Sequence, residues 1–187
     1  MQFIKILFTS TFCVFLCKGN PPGVRGHLKH SCSELKAGQK GFLQLTKPDE
    51  PGEPLTVYGK VVDQRTGTAV SGASLFFYQT DASGIYNPNG GADQDARIKG
   101  TVLANENGCY KIRTILPGDY PGQKNSRHLH YIITAEGYKE IKSILFFKGF
   151  TTPNLSTGET LKVLDIRKDD SSGWLATIDL KIERPDE

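Results

Sequence analysis

From Leu55 onward the chain alternates short apolar runs with clusters of turn-forming residues. Alternation with a period of two marks a strand with one buried face, and short runs bounded by Gly, Pro, Asn and Asp favour strands over helices. The pattern predicts strands over residues 55–63 and 73–80, then a long Gly/Asn/Asp-rich loop over 81–99. Asn107-Gly108 is a strong hairpin signal between strands at 100–104 and 109–115, and Pro117-Gly118 makes the next turn. Further strands are predicted at 128–135, 139–147, 161–166 and 174–182. No helical pattern exceeds one or two turns. The expected fold is all-β, a single-domain sandwich of antiparallel strands over residues 55–187.

The preceding segment has a different pattern. Residues 1–5 form a short basic start, and residues 6–17 are mostly apolar. That run suits a signal peptide and is too short to span a bilayer. Cys17-Lys18-Gly19 offers a cleavage site before Asn20, so 1–19 reads as a signal peptide. Cys17 could instead anchor a lipoprotein, although Leu16 is large for the position before it. The expected destination is therefore secreted or periplasmic. Residues 20–54 read as an extended Gly/Pro/Lys-rich arm, in which His27 and His30 are solvated rather than ligands.

Charge excludes some functions. With 23 basic and 20 acidic residues the net charge is +3, and the basic residues are scattered, so no nucleic-acid or membrane-surface footprint is present. No other apolar stretch could cross a membrane. Outside the leader, Cys32 and Cys109 form an even pair. In an exported protein that suggests a disulfide from arm to core strand, with two buried free thiols as the alternative.

The chemistry concentrates in Ser126-Arg127-His128-Leu129-His130-Tyr131. A strand points residues i and i+2 to one face, so His128 and His130 can reach a single metal ion. Tyr86 and Tyr120, at strand-to-loop junctions, would complete a two-Tyr, two-His set. Phenolate is a hard anionic donor and with imidazole suits ferric iron better than zinc or calcium. A lone His-x-His is more often a surface pair. Tyr78, Tyr110, Tyr131 and Trp174 read as packing residues, and Asp169-Asp170 as a solvated turn.

These motifs stand in a recognisable order. Tyr58-Gly59-Lys60-Val61-Val62-Asp63 is followed by Val70-Ser71-Gly72-Ala73, Asp81-Ala82-Ser83-Gly84-Ile85-Tyr86, Glu106-Asn107-Gly108-Cys109-Tyr110, Pro117-Gly118-Asp119-Tyr120-Pro121 and His128-Leu129-His130. Over roughly residues 55–147 the chain resembles the catalytic domain of intradiol ring-cleavage dioxygenases. The resemblance implies one non-haem Fe(3+) held by Tyr86, Tyr120, His128 and His130, with a catechol and O2 as substrates and a muconate-type diacid as product. It further implies that Tyr120 leaves the metal and takes the substrate proton. The earlier motifs are shared with transthyretin-like and carboxypeptidase-regulatory sandwich modules. A non-catalytic binding module of that type is therefore the alternative.

Two departures from the family pattern bear on catalysis. The family's usual Arg three residues before the first His is Asn125 here. Lys124 and Arg127 are the nearby candidates to replace it, although alternation should aim Arg127 at the face opposite the imidazoles. Where the family often has a pocket Gln, Lys142-Ser143-Ile144 places the shorter Ser143. No N-terminal helical segment of the dimerising kind is visible, so a monomer is expected.

Overall fold

The computed structural model describes residues 31–151 and 162–185. The expected signal peptide over 1–19, the Cys17 anchor, His27 and His30 lie outside these residues. Among the described residues the strands are β1 (Phe42–Gln44), β2 (Pro54–Asp63), β3 (Ser74–Gln79), β4 (Ile98–Leu103), β5 (Cys109–Ile115), β6 (Ser126–Thr134), β7 (Ile141–Thr151), β8 (Lys162–Leu164), β9 (Ile166–Asp169), β10 (Gly173–Thr177) and β11 (Leu180–Ile182). The only helical pieces among them are short 3-10 turns at Cys32–Glu34 and Asp93–Asp95.

The strands form two sheets. One runs β1-β5-β2-β10-β9, with β11 also on β2; the other runs β4-β3-β6-β7-β8. Period-two alternation decides what lies between them. Leu55, Val57 and Val61 of β2 and Tyr110 and Ile112 of β5 face Leu75 and Phe77 of β3, Leu129, Tyr131 and Ile133 of β6, and Leu145 and Phe147 of β7. All are buried. Each such side chain contributes about 1.5–3 kcal/mol relative to exposure, so this interface holds the sheets together.

The central ladders β2·β5, β3·β4, β3·β6 and β6·β7 are antiparallel, as the alternation implies. Parallel pairs arise where short strands are added: β1 on β5, β8 on β7, and β10 and β11 on β2. Two strands expected to be continuous are each divided. The 161–166 segment breaks at Asp165, where the chain leaves β7 for the other sheet. The 174–182 segment breaks at Ile178-Asp179, which passes over β2 at Gly59. A Cβ at Gly59 would lie 1.9 Å from the Ile178 carbonyl oxygen, so only glycine admits this crossing.

The part of the arm that is described is docked. β1 pairs with β5, and Cys32 is joined to Cys109 across 77 residues of chain. Closing a loop of that length restricts the unfolded chain by about 4 kcal/mol in the chain-entropy account. Replacing both cysteines by serine is therefore expected to lower the unfolding free energy by about 2–4 kcal/mol. Urea denaturation checks this, and an unchanged midpoint would show that the bridge contributes nothing.

Candidate metal centre

β6 carries the two imidazoles. Leu129, Tyr131 and Ile133 point into the core, so His128 and His130 emerge on the outer face of the second sheet. His128 Nδ1 lies 2.5 Å from the Ser126 carbonyl oxygen. A carbonyl only accepts, so Nδ1 carries the proton and Nε2 presents a bare lone pair. His130 stacks in parallel on Tyr78 of β3, with ring centroids 4.5 Å apart and 2° between planes. Backbone contact thus orients one imidazole, and ring packing orients the other.

The two tyrosines come from loops stitched together at one end of the sandwich. Gln79 ends β3 fully buried; its amide donates to the carbonyls of Thr80 and Ile115, and its Oε1 accepts from Thr114 Oγ1. Just beyond, Thr80 Oγ1 donates to Gly118 O, and Gly118 N donates to Asp81 O. Asp81 Oδ1 accepts from Ser83 N and Ile85 N, closing the turn that delivers Tyr86. At Gly84 (φ +81) a Cβ would lie 1.8 Å from Asp119 O. The two loops therefore meet backbone to backbone because both glycines lack side chains. The Tyr120 side is closed by Ser126, whose Oγ accepts from Tyr120 N and whose N donates to Asp119 Oδ1.

The outcome is a cluster of four polar atoms. Tyr86 Oη lies 2.7 Å from Tyr120 Oη, 3.1 Å from His128 Nε2 and 2.8 Å from His130 Nε2. His128 Nε2 is 3.1 Å from Tyr120 Oη and 2.9 Å from His130 Nε2. Burial acts on all four groups. It pushes both phenols above the usual tyrosine range, with Tyr86 raised further by its hydrogen bond to Tyr120. It pushes His128 down and His130 down to about 3. Without a cation all four are neutral, and proton bookkeeping exposes a deficit. The phenols bring one proton each and His130 at most one, while His128 Nε2 has none. Three protons cannot bridge five mutual contacts, so lone pairs face lone pairs. A positive ion at the centre removes that repulsion and makes phenolate the favoured form. The donor set therefore fits a hard trivalent metal. Among the described residues no cluster of three or more His, Cys, Asp or Glu offers a different metal site.

The other residues singled out in the sequence do not join this cluster. Lys124 is exposed in the turn before β6. Arg127 projects from the face opposite the imidazoles, 3.5 Å from Asp119 Oδ2 and with its guanidinium 5.1 Å from the centroid of the Phe150 ring. Neither touches the four donors, and Arg127, as alternation predicts, is turned to the other face of β6. Ser143 is misassigned as a pocket position. It shares the phase of buried Leu145 and Phe147, and Ile144 is the residue opposite His130. Tyr110 and Tyr131 do pack in the core, and Trp174 lies half-buried at its edge against Phe150. Tyr78 also packs, but its partner is a candidate ligand. Sequence alone also missed Arg97, whose guanidinium grips both carboxylate oxygens of Glu50 at 2.6 and 2.8 Å. The Arg97 backbone N–H donates to Tyr86 O at 2.7 Å. A groove of about 820 Å³ beside Gln44, Arg113 and Lys168 lies elsewhere, and none of the four donors lines it.

Comparisons with known proteins point one way. The dioxygenase family model matches residues 31–155. The chain is 32% identical over 114 residues to 6-chlorohydroxyquinol 1,2-dioxygenase of Cupriavidus pinatubonensis, an alignment covering 52% of this chain and 41% of that protein. It is 26% identical over 179 residues to chlorocatechol 1,2-dioxygenase of Rhodococcus opacus, covering 83% and 69%. The chain thus spans about two fifths of the first of these relatives. Among solved structures it resembles the dioxygenase domain of a dioxygenase carbohydrate-binding fusion from Streptomyces sp. SirexAA-E. The TM-score is 0.61 at 28% identity, covering 81% of this chain and 93% of that one. The 3-chlorocatechol 1,2-dioxygenase of Rhodococcus opacus 1CP gives a TM-score of 0.58 at 26% identity, with 77% and 65% covered.

The neutral cluster makes a pH prediction. The lowered imidazoles stabilise the metal-free fold fully above the unfolded histidine value of about 6.5. That stability is lost as pH falls, down to about 3 for His130. The raised phenols stabilise it below about 10 and lose that contribution at higher pH. Metal-free protein should therefore melt progressively lower below about pH 6.5, and His130→Gln should flatten the acid limb. An acid limb identical in both proteins would contradict this assignment.

Proposed function

We propose that this chain, which belongs to the intradiol ring-cleavage dioxygenase family, holds ferric iron and uses O2 to open a catechol-type ring between its two oxygenated carbons. The observation that carries the reading is the convergence of Tyr86, Tyr120, His128 and His130 on one point with too few protons to share. Two phenolates and two neutral imidazoles would hold the ion and leave about one unit of positive charge. Ferric iron bound there would make a catecholate reactive toward dioxygen.

The protein's own groups divide the remaining work. Tyr86 Oη contacts Tyr120, His128 and His130, whereas Tyr120 Oη contacts only Tyr86 and His128. Tyr120 is thus the less constrained phenol, and it borders an exposed turn at 121–125. This supports Tyr120 as the group that swings out and accepts a catechol hydroxyl proton at Oη. One catechol proton taken up at Tyr120 Oη would leave one catecholate charge where one phenolate charge was, so the net charge that the remaining residues must hold would be unchanged. Ser126 O holds the His128 proton on Nδ1, and Tyr78 keeps the His130 ring from turning. The donors are partly buried, with Phe146 and Tyr78 packed against the imidazoles.

Export accompanies this reading. The Cys32–Cys109 bridge is what supports an oxidising compartment, secreted or periplasmic. No helix among the described residues is long and apolar enough to cross a membrane.

Purified protein loaded with ferrous iron in air is expected to show the red-brown absorption of phenolate-to-iron charge transfer. Oxygen uptake with catechol should accompany it. Tyr86→Phe and His130→Ala should each lower bound iron by metal analysis and cut oxygen uptake at least about 100-fold. Arg127→Ala should leave iron content unchanged. A colourless loaded protein sinks the iron reading; a coloured protein silent across a catechol panel sinks the catalytic one.

A further inference from the structure

We infer that Ser126 is a positioning residue for the metal centre: its hydroxyl fixes the backbone of Tyr120 while its carbonyl orients His128, so a residue that is not itself a donor places two of the four donors. The inference rests on the iron and ring-cleavage reading above and adds a residue to it.

Ser126 opens β6, and the ladder to β7 shifts register between Ser126 and His128. Such an irregularity re-aims the chain away from the regular spacing of its partner strand. Every hydrogen-bonding group of Ser126 is then used within this end of the sandwich. Its N–H donates to Asp119 Oδ1 at 2.8 Å, and its carbonyl accepts from His128 Nδ1 at 2.5 Å. Its Oγ accepts from Tyr120 N at 2.8 Å and donates to Gln123 O at 3.0 Å. That pair of contacts calls for an atom that both accepts and donates, which a hydroxyl does. Alanine at this position could do neither, and an ionised carboxylate could accept but not donate.

Tyr120 is consequently held on both sides of its Cα. Its N–H is bound by Ser126 Oγ, and its carbonyl accepts from Gln123 N at 2.9 Å, closing the turn over 120–123. Asn125 has a φ of 59°, the one positive value among the described non-glycine residues, and it brings the chain back so that Ser126 reaches Tyr120. Asparagine is among the side chains that best tolerate this left-handed backbone. The Tyr86 loop is tied in another way, through the Tyr86 carbonyl to Arg97 N.

This difference matches the roles proposed for the two phenols. Tyr120 is the one that swings out for the incoming catechol and accepts its proton. On a backbone bound at N–H and carbonyl, that movement is confined to rotation about side-chain bonds, and the phenol returns to the same point. Catalysis is sensitive to such placement, because small displacements of a reacting group are costly. Ser126 therefore acts through Tyr120, without contact to substrate.

The test compares the full chain with Ser126→Ala, Ser126→Thr, Tyr120→Phe and the Ser126→Ala/Tyr120→Phe double variant. Circular dichroism confirms that each is folded. In the metal-free proteins, hydrogen exchange is read at the Tyr120 amide by NMR. Ser126→Ala should speed it at least about tenfold, whereas Ser126→Thr, which keeps the hydroxyl, should stay within about twofold of the unaltered chain. In the iron-loaded proteins, removal of iron by desferrioxamine is followed through loss of the visible band. Ser126→Ala should release iron at least about fivefold faster, and Ser126→Thr should restore retention. The same Ser126→Ala change made in Tyr120→Phe should add nothing, because the phenol it acts through is gone. Unchanged Tyr120 exchange in Ser126→Ala overturns the inference. So does an equal acceleration of iron release with and without the phenol, which would mark a merely structural effect. Faster Tyr120 exchange in a protein that takes up no iron sinks the iron reading and leaves the Ser126 anchor standing. The expected order of iron release without oxygen uptake sinks ring cleavage alone.

Discussion

Repulsion between lone pairs is the constraint on which this molecule's functional end depends. Two phenol oxygens and two imidazole nitrogens are held 2.7–3.1 Å apart, and burial keeps each of them neutral. A folded chain does not gather such atoms by chance, because every approach costs hydration and returns few hydrogen bonds. The surrounding structure has to impose the arrangement, and the compensation has to come from a cation. Most of the described devices at this end of the sandwich make sense as the means of imposing it.

Those devices act at different depths. The buried core between the sheets fixes β6, and alternation then aims His128 and His130 outward without further help. The tyrosines lie on loops, where no ladder holds them. Gln79 ties the ends of β3 and β5 together from inside, and Gly84 and Gly118 let the loops that follow approach backbone to backbone. Arg97 then pins the Tyr86 loop to Glu50 of the arm, and each of the two side chains is drawn further toward its charged form by the other. The arm is therefore more than an extended covering. Through β1, the disulfide and Glu50 it reaches both the core strand β5 and the loop bearing a candidate ligand.

What could be read in advance follows the same division. β5 occupies the residues its pattern predicts, and β2 and β3 differ from prediction by one residue at an end or two, because a clean period of two encodes a single buried face. The four donors were visible because His-x-His is a local pattern and the tyrosines sit in recognisable turns. Register between strands has no such local trace. The run Ile144-Leu145-Phe146-Phe147 is apolar in both phases, so it conceals which residue faces the core, and Ser143 was assigned to the wrong side. The stacking of Tyr78 on His130 depends on a pairing between strands about fifty positions apart. Gln79 and Arg97 act through partners equally remote in sequence. The broken strands near the end of the chain were missed because a change of sheet leaves the alternation on either side intact.

The position of the metal donors and the position of charge beside them both depend on strand register in this fold. The donors derive from β6 and the two stitched loops. The charge beside them depends on which face of β6 carries Arg127. Arg127 is one position from His128, yet alternation and its pairing with Asp119 send its charge to the other side of the sheet. A shift of one residue in that strand would exchange the roles of imidazole and guanidinium, so the position of a cation here is as tightly bound to register as the position of a ligand. The loop that carries Tyr86 is held differently, by the Arg97 N–H on Tyr86 O, by Lys99 of β4 on Asp95 and by the burial of Ala96, so its attachment depends on contacts along its length rather than on the register of β6 alone.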